Sequence, residues 1–125
     1  MFLKALTALA LASAASLLFT MTAEANPRFT VENDSKKKVT VYIFSGDDGI
    51  CSFEEKQKTV KSGNTASFGC HGHGTGRCKI MLYVNDEQVC RSDRDTCNTS
   101  AIKMRDGETV TLYNKDKKFR CYYED

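Results

Sequence analysis

Six cysteines constrain what this chain can fold into more than any other feature of its sequence. They are Cys51, Cys70, Cys78, Cys90, Cys97 and Cys121. An even number of cysteines in a small exported chain is typical of a disulfide framework. The alternative, a metal cluster of thiolates, is disfavoured because the sequence has no C-x-x-C pair and an oxidising compartment consumes free thiols. We therefore predict three disulfide bridges.

The first 25 residues have the three parts of a secretory signal peptide: a short basic start with Lys4, an apolar stretch over 5–19, and the small residues Ala23 and Ala25. We expect cleavage after Ala25, which leaves residues 26–125 as a single disulfide-rich β domain. The apolar stretch is shorter than the roughly 20 residues that a transmembrane helix needs. The sequence therefore predicts a secreted or periplasmic protein with no transmembrane segment after signal cleavage.

The predicted mature domain is small enough to depend on its bridges. A domain of 100 residues, from 26 to 125, buries only about 60 to 65% of the surface that its unfolded chain exposes. Three bridges at about 2 to 4 kcal/mol each would rival the whole net stability of such a domain, about 5 to 15 kcal/mol.

The charge of the chain is nearly balanced. Loss of the signal peptide removes Lys4 and Glu24, so the net charge of the mature chain stays at +2. Because nucleic-acid-binding domains usually carry a large basic excess, no nucleic-acid partner is expected. Lysines do cluster at 36–38, at 56–61 and at 115–118. We interpret these lysines as solvated turn residues, and as charges that keep the edge strands of a monomer from pairing with another chain.

Alternation of apolar and polar residues recurs along the predicted mature chain, and no stretch keeps apolar residues at helical spacing over three turns. Strand candidates include 29–32, 39–44, 56–60, 65–70, 77–84, 88–91, 109–113 and 119–123. The second of these is apolar on both faces, which favours a central strand. Short strand candidates that follow one another at this spacing along the chain predict an all-β fold. We expect a small disulfide-stapled antiparallel β-sandwich of about seven or eight short strands.

One disulfide follows from a predicted hairpin between 65–70 and 77–84. If the hairpin is centred on Gly74, Ala66 faces Leu82 and Phe68 faces Ile80. The same register places Cys70 opposite Cys78, close enough for a bridge.

The other two bridges are less constrained by the sequence. A two- or four-residue turn at Asn85-Asp86 places Cys78 and Cys90 on opposite faces, which disfavours that pair. We expect Cys90 to pair with Cys97 because the two are near in sequence, which leaves Cys51 to pair with Cys121.

The segment 69–78 has the highest density of groups that suit a binding site. Gly72, Gly74 and Gly76 leave backbone N–H groups free to line an anion-binding concavity, to which Arg77 adds a guanidinium. The alternative interpretation is that these glycines only form a tight loop between bridged strands.

The same segment holds both histidines of the chain, His71 and His73. Two imidazoles at this spacing are candidate ligands for a divalent transition metal, but a third ligand would have to come from a distant residue such as Asp47 or Asp48. The alternative interpretation is a pair of solvated loop histidines.

No catalytic residue and no cofactor are assigned, because the sequence has no G-x-S-x-G, no H-E-x-x-H and no cysteine expected to be free. The preferred function is a non-enzymatic interaction module that binds a protein, a glycan or an anionic surface through its loops. The alternative is a small secreted hydrolase or toxin that uses the loop 71–77. Catalysis would require those side chains to converge in a pocket.

Overall fold

The computed structural model describes residues 26–47, 51–70, 76–94 and 97–125. The predicted signal peptide, residues 1–25, lies outside the described residues. The strands of the described chain are β1 (Arg28–Asp34), β2 (Val39–Asp47), β3 (Ser52–Val60), β4 (Thr65–Gly69), β5 (Arg77–Val84), β6 (Glu87–Val89), β7 (Ile102–Arg105), β8 (Thr109–Lys115) and β9 (Lys118–Glu124). No helix within these residues is long and apolar enough to span a membrane.

The strands form two sheets, which confirms the predicted all-β, disulfide-stapled sandwich. The first sheet has the order β4-β1-β8-β9, and the second has the order β3-β2-β5-β6 with β7 also paired to β5. The predicted central strand is β2, which lies between β3 and β5. The structure adds two features: β7, which the sequence did not indicate as a strand, and a parallel pairing between β1 and β8.

Alternating apolar side chains of both sheets meet in the interior of the sandwich. In β1, Phe29 and Val31 are buried, whereas Thr30 between them is partly exposed. The second sheet contributes Val39, Val41 and Ile43 of β2 and Cys78, Ile80 and Leu82 of β5. Each fully buried aliphatic or aromatic side chain stabilises the fold by roughly 1.5 to 3 kcal/mol relative to an exposed one.

One buried amide joins the end of β1 to the end of β3. The Nδ2 of Asn33 donates to the carbonyl oxygens of Lys37 (2.8 Å) and Val60 (2.9 Å). Its Oδ1 accepts from the backbone N–H of Ser35 at 3.1 Å and from the Ser35 hydroxyl at 2.6 Å. Because every polar atom of this amide has a partner, its burial carries no penalty for an unpaired group.

Two tight turns use residues with a positive φ. Asn85 and Asp86 have φ of 50° and 63° and connect β5 to β6, which confirms the predicted turn. Asp116 and Lys117, with φ of 53° and 64°, connect β8 to β9 in the same manner. Positive φ at both central residues matches the right-handed twist of the flanking strands.

The structure contains the three predicted bridges, and one of the predicted pairings. Cys70 is bonded to Cys78, as expected. The other predicted pairs are wrong, because Cys51 is bonded to Cys97 and Cys90 to Cys121. Cys90 follows β6 and Cys121 lies in β9, so their bridge closes one side of the sandwich between the two sheets. All six cysteines are bridged, which points to an oxidising compartment outside the cytoplasm.

The hairpin from which the Cys70–Cys78 bridge was predicted does not exist. Strand β4 pairs with β1, where Ala66 lies opposite Val31 and Phe68 opposite Phe29. Strand β5 pairs with β2 in the other sheet. The bridge therefore crosses between the sheets, and it forms because both cysteines point into the interior, where they are 2% and 0% exposed.

Candidate functional site

The pairing of β5 with β7 places like charges opposite each other. Arg77 lies opposite Arg105, and two residues along the ladder Lys79 lies opposite Lys103. Between these pairs, Cys78 and Met104 point to the core and are fully buried. Because side chains alternate along a strand, the four cations share the outer face of the second sheet.

For the pair Arg77 and Arg105, such an arrangement opposes folding. Side chains directly opposite each other on neighbouring strands have Cβ atoms about 4.5 to 5.5 Å apart, and like charges at that distance destabilise the sheet. Lys79 is buried at 1% exposure, whereas Arg77 and Arg105 are exposed. The two arginine side chains therefore both reach solvent from directly opposite backbone positions.

The segment between β6 and β7 brings further cations to the same face. The first and last parts of this segment are joined by a hydrogen bond from the N–H of Ser92 to the carbonyl oxygen of Ser100 (2.9 Å). The guanidinium of Arg91 donates to the Ser100 hydroxyl at 3.0 Å, and the N–H of Arg94 donates to the Ser92 hydroxyl at 3.3 Å. Gln88 of β6 donates to the Ser100 carbonyl oxygen at 3.0 Å, which fixes the segment to the sheet.

These elements enclose a groove of about 610 Å³. Its cationic lining residues are Arg77, Arg91, Arg94, Lys103 and Arg105. Among the described residues, Asp93 and Glu108 are the acidic groups of the lining, and Ala101, Ile102 and Tyr123 supply apolar surface. Five positive charges against two negative charges make this groove a site where an anion would be attracted.

Tyr123 forms one wall of the groove and stays uncharged at neutral pH. Burial raises the pKa of its phenol above the ordinary value, and the nearby carboxylate of Glu108 raises that pKa further. The side chain is still 44% exposed. The groove therefore presents a neutral aromatic ring with a hydroxyl donor beside its arginines.

Only part of the predicted loop site is covered by the structure. His71, Gly72, His73 and Gly74, the candidate metal and anion ligands, lie outside the described residues. Gly76 has a φ of +67°, a conformation that favours glycine, and within the described residues, its chain neighbours apart, no atom lies within 4 Å of the position of an added Cβ. Arg77, the predicted anion ligand, lines the groove.

Two of the lysines that were predicted to protect strand edges lie on an edge strand. Lys56 and Lys58 belong to β3, which ends the order of the second sheet, and both side chains are exposed. They lie opposite the buried Ile43 and Val41 of β2. Charges that point inward at an edge discourage pairing with another strand.

Sequence reasoning missed four of the five groove cations: Arg91, Arg94, Lys103 and Arg105. The signal for two of them was present, because Ile102 and Met104 alternate with Lys103 and Arg105 immediately before the turn at 106–107. That alternation covers only four residues and so resembles a loop as much as a strand.

The sequence matches no protein-family model and no curated protein. Among solved structures, the C-terminal domain of AlgF from P. aeruginosa is similar, with 17% sequence identity and a TM-score of 0.47. The alignment covers 80% of this chain and 97% of that chain. A likeness this distant carries no argument about function.

Proposed function

We propose that residues 26–125 form an exported, non-enzymatic interaction module that binds an anionic partner in the cationic groove. The observation that carries the proposal is the Arg77–Arg105 pair on neighbouring strands of the groove floor. Like charges in this position destabilise the free protein, and an anion placed between them would relieve the repulsion.

The chemistry of the lining supports binding rather than catalysis. Four of the five cations are arginines, and a guanidinium keeps its positive charge at physiological pH, which makes it a poor general acid or base. Its planar set of donors instead matches carboxylate and phosphate oxygens, often with two parallel hydrogen bonds. These are properties of an anion-recognition site, in which the ligand is held and not transformed.

The scaffold supports the same function, because disulfides hold the groove on two sides. The Cys90–Cys121 bridge fixes the start of the segment between β6 and β7 to β9. The Cys51–Cys97 bridge joins the middle of that segment to the residue before β3. A groove that is already ordered before binding loses little conformational entropy when a ligand enters.

Calorimetric titration of the mature protein with citrate and with inorganic phosphate at constant ionic strength tests the proposal. We expect saturable binding of at least one anion. The double variant R91Q/R94Q should weaken it by about two- to thirtyfold, since each exposed charge pair contributes about 0.2 to 1 kcal/mol.

A matched control is the double variant K56Q/K58Q, which removes the same charge from the exposed edge strand β3. It should leave the affinity unchanged within about twofold, the range expected from altered long-range attraction alone. Equal losses in the two variants would mean that anions are attracted only by net charge, and the proposal would be wrong.

Export is part of the proposal and has its own test. In the folded domain, the backbone N–H of Cys70 donates to the carbonyl oxygen of Pro27 at 3.1 Å, so the ordered structure reaches close to the expected cleavage point. N-terminal sequencing of protein recovered from outside the cytoplasm should begin at Asn26. A chain that keeps Ala25 and the residues before it would contradict the predicted cleavage.

A further inference from the structure

Strand β9 forms one edge of the first sheet, and within the described chain it pairs with β8 alone. The two strands are joined by a two-residue turn, so the flanking pair Lys115 and Lys118 exchanges both of its backbone hydrogen bonds. Every second residue of β9 then bonds to β8, and the backbone groups of Phe119, Cys121 and Tyr123 point away from it. No hydrogen bond from another described residue reaches these outward groups.

The exposed apolar surface of the protein lies on the same strand. Among the described residues, Tyr122 and Tyr123 are the large hydrophobic side chains that are exposed, and both belong to β9. The other edge strands are shorter or more charged: β4, β6 and β7 have five, three and four residues, and β3 has exposed charged side chains at 54–56 and 58. A long edge with exposed aromatic rings is the kind of edge that pairs with another chain.

The sequence of β9 is complementary to itself in the antiparallel direction. When two copies pair about a two-fold axis at Cys121, Lys118 of each copy lies opposite Glu124 of the other. Arg120 of each copy lies opposite Tyr122 of the other, so that a cation meets an aromatic ring. Opposite charges and cation–aromatic pairs at these positions favour the association of the two strands.

The same register also satisfies the outward backbone groups. Cys121 lies opposite its own copy and Phe119 lies opposite Tyr123, so the outward residues of one strand exchange hydrogen bonds with the outward residues of the other. A shift of the register by two residues in one direction would place Arg120 opposite Arg120 and shorten the paired segment. Charge and backbone geometry therefore select the same register.

We propose that two copies of the domain 26–125 pair through β9 about a two-fold axis and join their first sheets into one continuous sheet. Such an interface uses the same patch on both copies, as in most symmetric dimers. The dimer is independent of the anion groove and differs from the monomer that the sequence predicts. An interface of one strand pair is small, so we expect a dissociation constant between about 1 μM and 1 mM.

Sedimentation equilibrium at protein concentrations up to about 1 mM tests the proposal. The variant K118E turns both Lys–Glu pairs into Glu–Glu pairs and should weaken the dimer by at least about fourfold. The double variant K118E/E124K restores the pairs with their charges exchanged and should reverse most of that loss. The matched control K56E makes the same charge change on the edge strand β3 and should leave the dimer unchanged within about twofold.

The K118E variant is expected to fold, because residue 118 lies opposite Lys115 in its own hairpin and a carboxylate there faces an opposite charge. A thermal melt checks this before sedimentation. Hydrogen exchange followed by NMR then locates the interface: a rise in protein concentration should slow the exchange of the N–H groups of Phe119, Cys121 and Tyr123, and the effect should be reduced in K118E.

A protein that stays monomeric at about 1 mM would overturn the proposal. A dimer that K118E and K56E weaken equally, or one that K118E/E124K does not restore, would overturn the pairing through β9. Slowed exchange at another strand in place of β9 would do the same. The variant R91Q/R94Q should leave the dimer intact, so failure of dimerisation and failure of anion binding are observed separately.

Discussion

Neutralising Arg77 should stabilise the fold, although it removes a large side chain from the protein. Arg77 and Arg105 are direct cross-strand neighbours, at a Cβ separation of about 4.5 to 5.5 Å. Cross-strand charge pairs are worth roughly 0.2 to 1 kcal/mol, and the contact of Arg105 with Asp125 offsets part of the repulsion. We expect R77Q to raise the free energy of unfolding by about 0.2 to 0.8 kcal/mol.

Differential scanning calorimetry at low ionic strength measures this effect. In a domain of this size 1 kcal/mol corresponds to about 4 to 8 °C, so the midpoint should rise by about 1 to 6 °C. In 1 M salt, where the Debye length is about 3 Å, the gain should disappear. In the same variant the affinity for citrate should fall, so stability and binding change in opposite directions.

The matched control is K58Q. Lys58 lies opposite Val41 and therefore faces no like charge across its ladder. Its midpoint should stay within the range of about 0.5 kcal/mol that ordinary surface substitutions show. A fall in the midpoint of R77Q, or an equal rise in both variants, would refute the reasoning that Arg77 and Arg105 repel each other.

Three further predictions concern the scaffold and the groove wall. Replacing Cys70 and Cys78 together with alanine should lower the free energy of unfolding by about 2 to 3 kcal/mol for the lost loop closure, measured by urea denaturation; no loss would mean that the bridge does not constrain the chain. Asn33→Ala should cost about 1 to 3 kcal/mol in the same assay, because buried carbonyl oxygens lose their donors, and an unchanged midpoint would contradict this. Because its folded-state pKa is raised, Tyr123 favours folding fully below pH 10, and that contribution is lost as the pH rises through the folded pKa. Ultraviolet titration should therefore show a tyrosinate-forming step above pH 10 that is absent in Y123F. The variant Glu108→Gln should lower the pH of that step, and an unmoved step would exclude Glu108 as a cause of the raised pKa.

Much of the fold could be predicted because alternation is a local property of the sequence. The pattern around Val39, Val41 and Ile43 predicts a strand and its inward face whatever its neighbours are. The same parity places Cys70 and Cys78 on inward faces, which is why their bridge was predicted correctly from an incorrect hairpin. Here the two inward faces belong to different sheets, and the Cα atoms of the two cysteines still lie only 5.6 Å apart.

Strand neighbours and the groove could not be predicted in the same way. Pairing between β1 and β8 or between β5 and β7 joins segments far apart in sequence, and its register depends on the whole topology. Without β7, nothing in the sequence brings Arg105 next to Arg77. The bridge from Cys90 to Cys121 likewise depends on which edges of the two sheets come together, since Cys97 is much nearer to Cys90 along the chain.

The central claim is that one groove, and not the surface in general, binds anions. The most direct measurement is a titration of ¹⁵N-labelled mature protein with citrate, followed by NMR chemical-shift mapping at constant ionic strength. We predict saturable shifts confined to the groove, at Arg77, at 91–94, at 102–105 and at Tyr123. Shifts that do not saturate, or that appear equally at Lys56, Lys58 and the turn at 115–118, would contradict the claim.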